Sequence, residues 1–234
     1  YNGYKVYWGN GAQIVPPHDV GIAAAIDAVE PADQVKVMDE AQARQENLWR
    51  DIPLEVERAY LDAILALRPT RKTARLRVVY TAMHGVGGAL MKQALTEAGF
   101  DELFLVPAQF EPDGSFPTVR FPNPEEKGAL DLATALAERE GADLVLANDP
   151  DADRLAAMAR DSKAELRMLT GNELGVLLGH FLLTQQKVDR PLVITTIVSS
   201  AQLKALAAAL GAAYEETLTG FKWIANRALE LLPQ

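Results

Sequence analysis

Leu76-Arg77-Val78-Val79-Tyr80-Thr81, followed by His84-Gly85-Val86-Gly87-Gly88 and then by Leu90, Met91, Ala94, Leu95 and Ala98 ahead of Gly99, decides the fold. The first run is apolar, β-branched and aromatic, and reads as a strand. The glycine-rich pentapeptide reads as a turn. The apolar residues after it recur at helical spacing, and Gly99 supplies a stop. The pattern returns along the chain. Leu103-Phe104-Leu105-Val106 is a second strand, and Leu144-Val145-Leu146-Ala147 has the wholly apolar character of a central strand covered on both faces. Leu192-Val193-Ile194-Thr195-Thr196 leads into a helix marked by Leu203, Leu206 and Leu210, with Gly211 as its stop. The repetition predicts an α/β fold of mixed, mainly parallel sheets flanked by helices.

The segments between these units are more varied. A proline-rich loop runs from Pro107 to about Pro122. It leads to a predicted helix start with Asn123 as cap, Pro124 at the first position, and Glu125 and Glu126 facing the helix dipole. Leu130, Ala133, Leu136 and Ala137 would form the buried face, and Gly141 the end. Upstream, Tyr4 to Trp8 reads as strand-like and Asp19 to Val29 as a helix. A further helix is expected after Pro53, with Leu54, Leu61, Ile64 and Leu65 turned inward. Thr170-Gly171-Asn172-Glu173 opens another, after a polar, hairpin-like piece at Arg160-Asp161-Ser162-Lys163.

Composition narrows the function. The 234 residues carry 32 acidic against 23 basic side chains, a net charge of −9, which disfavours a general grip on nucleic acid. There is no cysteine, which excludes a disulfide scaffold, a thiolate zinc site and a cysteine nucleophile. Its absence suits a reducing compartment, and a cytoplasmic location is expected. No apolar run reaches the roughly 18–20 residues of a membrane span, so no membrane partner is expected.

The chemistry concentrates in Asn148-Asp149-Pro150-Asp151-Ala152-Asp153-Arg154. Three carboxylates alternate directly after an apolar strand, and α/β folds place their ligands at the carboxyl ends of parallel strands. In an extended loop, alternation points Asp149, Asp151 and Asp153 the same way. Like charges so close repel, and a hard divalent cation is the usual remedy. The plain alternative is a solvated acidic turn, which the preceding apolar strand and the following Arg154 argue against. A calcium EF-hand needs Gly at loop position 6 and Glu at position 12, where this chain has Arg154 and Arg160. A phosphatase of the haloacid-dehalogenase type, with Asp149 as nucleophile, wants Thr or Val where Ala152 stands.

The string Asn-Asp-Pro-Asp-Ala-Asp-Arg-Leu resembles the metal loop of the α-D-phosphohexomutases, the phosphoglucomutase/phosphomannomutase superfamily. The resemblance extends over nearly the whole chain. It takes in Tyr1-Asn2-Gly3-Tyr4-Lys5-Val6-Tyr7, Met83 to Gly88, Phe116-Pro117-Thr118 with Pro122-Asn123-Pro124-Glu125, Leu169 to Glu173, and Thr219-Gly220-Phe221-Lys222. Its character is closest to the bacterial phosphoglucomutase and phosphopentomutase branch.

The resemblance implies a reversible phosphoryl relocation between the 1 and 6 positions of glucose phosphate, with phosphomannose and phosphopentose as alternatives. A phosphoserine and a glucose 1,6-bisphosphate intermediate, which also serves as activator, are implied as well. It implies Mg²⁺ at Asp149, Asp151 and Asp153. Arg154 would steady the phosphoryl group, Lys5 would be a general acid/base, and Thr219 and Lys222 would contact the phosphosugar. The family's Ser-His-Asn-Pro nucleophile stretch and its Gly-Glu sugar-reading loop are absent. The chain is therefore expected to be an internal fragment that is inactive alone and completed by the remaining domains of its parent. Residues 1–35 would close domain 1, 36–168 would form domain 2, and 169–234 would begin domain 3. A non-catalytic phosphosugar- or metal-binding module is the rival from another class.

Other polar residues have simpler readings. His84 reads as capping a turn whose glycines permit close packing, in preference to a phosphate ligand. His18 reads as a helix-start residue and His180 as packing or edge-exposed. Lys5 and Lys222 would each be an ordinary solvated lysine without their surrounding motifs. Trp8, Trp49 and Trp223 read as core or interface aromatics.

Overall fold

The computed structural model describes residues 5–29, 31–68, 75–185 and 189–232, which leaves the Tyr1-Asn2-Gly3-Tyr4 motif outside the described residues. In chain order the elements are α1 (His18–Asp27), α2 (Glu40–Gln45), α3 (Leu54–Ala66), β1 (Arg77–Thr81), α4 (Gly88–Glu97), β2 (Glu102–Leu105), α5 (Asp131–Glu140) and β3 (Leu144–Asn148). They continue with β4 (Leu155–Arg160), β5 (Leu166–Leu169), α6 (Gly171–Gln185), β6 (Leu192–Thr196), α7 (Gln202–Ala209), β7 (Ala213–Thr217) and α8 (Phe221–Leu231). Two compact units result, one of residues 58–188 and one of residues 1–57 with 189–234.

The first unit is built on a sheet of order β2-β1-β3-β4-β5. β1 pairs in parallel with both β2 and β3, and β4 and β5 continue the sheet antiparallel. β1 is the predicted first strand, and from Val78 onward it is buried throughout. β3 lies at the centre, as its apolar run requires. The antiparallel hairpin of β4 and β5 was not legible as strands, because Leu155–Arg160 carries no alternation and follows directly on a loop of acids. One half of the core packs Val79, Val106 and Val145 against Ala133, Leu136 and Ala137 of α5. The other packs Met83 and Ala147 against Ala129, Leu130 and Ala156.

Two helix expectations change. α5 begins at Asp131, not at Pro124. Asn123 Oδ1 accepts from the Glu125 amide, as a cap would, but Gly128 follows at φ +86°, which a right-handed helix excludes. The residues between form turns, and Asp131 becomes the acid of the first helical turn. Gly141 does end the helix, in the left-handed conformation at φ +60°. α3 starts where Pro53 predicts, yet Leu54 is 80% exposed and the inward face is carried by Leu61, with Ile64 and Leu65 half-buried.

α6 shows how local chemistry sets a helix start. The Glu173 amide donates to Thr170 Oγ1, and the Thr170 amide donates to Glu173 Oε2, a reciprocal capping box. The Thr170 amide and the Arg167 guanidinium hold the Glu173 carboxyl below its usual range. A carboxyl lowered on folding adds stability above its ordinary pKa, and that stability is lost as pH falls through the folded value. Acid titration of thermal stability should therefore show a steeper fall for wild type than for Glu173→Gln below about pH 5. Parallel curves would remove this role.

In the second unit β6 and β7 pair in parallel, with Thr195 Oγ1 hydrogen-bonded to Tyr214 Oη at 2.7 Å. α7 ends at Ala209, and Gly211, the predicted stop, follows two residues later at φ +72°. Tyr7 and Gln13 form one isolated antiparallel bridge where a strand-like start was expected. Trp8 stacks on His18 with ring centroids 4.3 Å apart, and α1 begins at His18. Asn226 of α8 donates to the Gln13 carbonyl, joining the two ends of the chain within this unit. Among the described residues no helix is long and apolar enough to cross a membrane.

Candidate metal centre

The loop from Asn148 to Arg154 leaves the carboxyl end of β3 and returns as β4. It does not run extended. The Ala152 amide donates to the Asp149 carbonyl at 2.9 Å, and Ala152 sits at φ +57°, in the left-handed region. The turn, and not strand-like alternation, brings the acids together. Asp149, Asp151 and Asp153 each offer one carboxylate oxygen, and these atoms lie within 4.8 Å of one another. Burial falls along the series, from buried Asp149 through half-buried Asp151 to exposed Asp153.

Two side chains close the loop across its mouth. Asn148 Nδ2 donates to the Arg154 carbonyl at 2.7 Å. Asp149, 1% exposed, accepts from the Arg154 amide at Oδ1 and from Arg154 Nε at Oδ2, at 3.0 and 2.6 Å. Arg154 is also within 3.8 Å of Asp153. The Asp149 carboxylate raises the Arg154 pKa, against an opposing contribution from burial. The guanidinium therefore stands as a permanent cation within the cluster. Beneath them, Tyr80 Oη donates to Asn148 Oδ1 at 3.2 Å, and burial pushes the phenol's pKa well up, so it remains a donor.

The glycine turn after β1 is pressed directly against this loop. The Val86 amide donates to the Pro150 carbonyl at 2.9 Å. A Cβ on Gly85 would fall 2.4 Å from Pro150 Cα, and one on Gly87 would fall 2.9 Å from Ala152 Cβ. The glycines thus serve close approach, and the surface they approach is the acidic loop. His84 Nε2 pairs with Thr118 Oγ1 at 2.8 Å, and Thr118 also accepts from Gln109 at 2.9 Å. Gln109 in turn accepts from Thr81 at 2.6 Å. This polar chain, buried at Thr81, His84 and Gln109 and reaching the surface at Thr118, ties the proline-rich loop to β1. Residues 118–121 of that loop, with residues 126–129 after it, line a cavity of about 480 Å³.

The sequence singled out the acids and Arg154 but missed Tyr80 and Asn148. A polar residue ending an otherwise apolar strand was the available signal for Asn148. Tyr80 carried none, since its hydroxyl faces a partner 68 residues away. The other candidates, Lys5, Thr219 and Lys222, belong to the second unit. Lys5 and Thr219 are exposed there. Lys222 is half-buried at the start of α8, with Nζ 5.1 Å from the Trp223 ring centre. Structure thus joins four of the named residues in one loop and sets the other three on a different compact body.

The donor set suits a hard divalent cation. It offers an oxygen from each of three carboxylates, of which the Asp149 carboxylate is buried and oriented by a hydrogen bond to each of its oxygens, and it already holds a cation in the Arg154 guanidinium.

Comparison with known proteins places this architecture. The family model for phosphoglucomutase/phosphomannomutase, alpha/beta/alpha domain II, matches residues 58–162, and that for domain III matches residues 170–231. The human protein named phosphopentomutase is 42% identical over 246 residues, covering 100% of this chain and 40% of its own length. A phosphoribomutase from Saccharomyces cerevisiae is 42% identical over 252 residues, covering 98% of this chain and 40% of its own. A probable phosphomannomutase from Haemophilus influenzae is 43% identical over 228 residues, covering 95% of this chain and 45% of its own. The chain thus spans about two-fifths of the length of these relatives. A solved structure of a putative phosphomannomutase from Thermus thermophilus shares the fold, with a TM-score of 0.63 at 22% identity over 94% of this chain and 46% of its own. Carrying matches to both domains in the expected order, the chain belongs to the phosphoglucomutase/phosphomannomutase family of the α-D-phosphohexomutases.

Proposed function

We propose that the protein carrying this chain is a Mg²⁺-dependent phosphosugar mutase and that the Asp149–Arg154 loop is its metal centre. The observation that carries the reading is the convergence of three carboxylates, one of them buried and oriented, at the carboxyl end of a central strand. Mg²⁺ held by Asp149, Asp151 and Asp153 would supply Lewis-acid neutralisation of a phosphoryl group. Tyr80 and Asn148 hold the loop's shape, so the acids stay converged without rearrangement. Arg154, half exposed beside the acids, would offer its guanidinium donors to phosphoryl oxygens. Lys5 would serve as general acid/base, and Thr219 and Lys222 as substrate contacts. Residues 1–35 would be the end of domain 1, residues 36–168 the whole of domain 2 and residues 169–234 the first half of domain 3.

For substrate, glucose 1- and 6-phosphate exchanging through glucose 1,6-bisphosphate is the first reading. A phosphopentose is the second, favoured because relatives at 42% identity are named phosphopentomutase and phosphoribomutase. A coupled assay on the protein carrying this chain tests both, with glucose, ribose and mannose 1-phosphates, with and without EDTA. Isomerisation that needs Mg²⁺ and a sugar bisphosphate is expected. Release of inorganic phosphate in its place would favour a phosphatase. Binding without conversion of any of the three would favour a non-catalytic module.

A further inference from the structure

The buried member of the carboxylate cluster is already occupied. Both oxygens of Asp149 accept from a single residue, Arg154, one from its amide and one from its side chain. The 2.6 Å contact to Nε joins a carboxylate 2% exposed to a guanidinium 55% exposed. Asp153 and Asp151 act on the same guanidinium, the first from 3.8 Å. A divalent ion in the loop would share Asp149 with a cation that is already there. The guanidinium cannot yield by losing its proton, because an arginine stays charged in a protein. It can yield by moving, since half its surface faces solvent and leaving costs it little burial.

We propose that Arg154 is the resident counter-ion of Asp149, and that a divalent cation binds by competing with its guanidinium for that carboxylate. The inference rests on the loop being the metal centre proposed above. The chain's own cation keeps the acids together while the metal is away, at the expense of metal affinity. Metal arrival then releases the guanidinium for a phosphoryl group, so loading the metal and arming the anion-binding residue are one event.

Free Mn²⁺ measured by electron paramagnetic resonance, titrated into wild type, Arg154→Gln, Arg154→Lys and Asp151→Asn, tests this. Arg154→Gln should bind about tenfold more tightly than wild type, with Arg154→Lys in between, because a neutral side chain neither repels the ion nor holds Asp149. Its metal-free form should unfold at a lower temperature and gain more from saturating metal. In wild type, a Mg²⁺ titration followed on the Arg154 Nε–H resonance should move that signal to the position of a solvent-exposed arginine. Equal or weaker Mn²⁺ binding in Arg154→Gln, with Asp151→Asn abolishing it, would overturn the competition and leave the metal centre standing. Binding that Asp151→Asn does not alter, or no binding in any of the proteins, would overturn the metal centre and the competition with it. Should Arg154→Gln not fold, the wild-type titration decides alone: an unmoved Nε–H resonance at saturating Mg²⁺ sinks the proposal.

Discussion

Asp149→Asn is expected to remove metal binding and also to lower stability, whereas Asp151→Asn and Asp153→Asn should remove binding with a smaller loss of stability. The difference follows from burial. Asp149 is buried and accepts the Arg154 amide and Nε–H, so an amide in its place turns an NH₂ towards one of those donors. Breaking a buried ion pair costs about 3–5 kcal/mol when a charge is stranded in the interior. Here the surviving Arg154 is half exposed and can turn to water, so a cost of about 2 kcal/mol is the better expectation. Asp151 and Asp153 are more exposed, so neutralising either should lower the unfolding temperature less than Asp149→Asn does. For binding, loss of any one of the three should weaken Mn²⁺ by at least about 100-fold, since outer-shell partners of metal ligands alone are worth roughly 10–100-fold. Thermal unfolding and Mn²⁺ titration of the three variants separate the two effects. Equal loss of stability in all three would show that Asp149 has no structural part.

Gly85→Ala should be the most damaging small substitution in the first unit. Its Cβ would lie 2.4 Å from Pro150 Cα, 2.6 Å from Pro150 O and 2.8 Å from Pro150 C. All three are backbone atoms of the acidic loop, so no side chain can swing aside. Either the turn or the loop must move, and both are anchored, the loop by Asn148 and Asp149 and the turn by the Val86–Pro150 and His84–Gln109 hydrogen bonds. A loss of about 3 kcal/mol is expected, lowering Tm by roughly 10 °C, together with weaker metal binding. Gly175→Ala is the control. It lies within α6 with nothing near its Cβ position, and should gain about 0.5–1 kcal/mol from helix propensity. If Gly85→Ala matched Gly175→Ala in stability and bound Mn²⁺ like wild type, the close packing of turn on loop would carry no weight.

Sequence alone determined the alternation of strands and helices, the stops at Gly99, Gly141 and Gly211, and the candidacy of the three acids with Arg154. Those features are local. Helical spacing, a left-handed glycine and a run of like charges each declare themselves within a few residues. Other features were decided by partners distant in the chain. The start of α5 slipped to Asp131 because Gly128 takes a conformation that a capping pattern cannot report. β4 and β5 became strands because β3 presented an edge for Leu155–Arg160 to pair with. The acids converge through a left-handed turn at Ala152, although alternation in an extended loop would also have aligned them. Tyr80 reached the site because parallel pairing sets β1 beside β3 in a register that brings its hydroxyl to Asn148. Which residues carry charge was written in the chain. Which of those charges is buried, and which cation already answers it, was decided only when a strand, a glycine turn and an acidic loop packed within contact of one another.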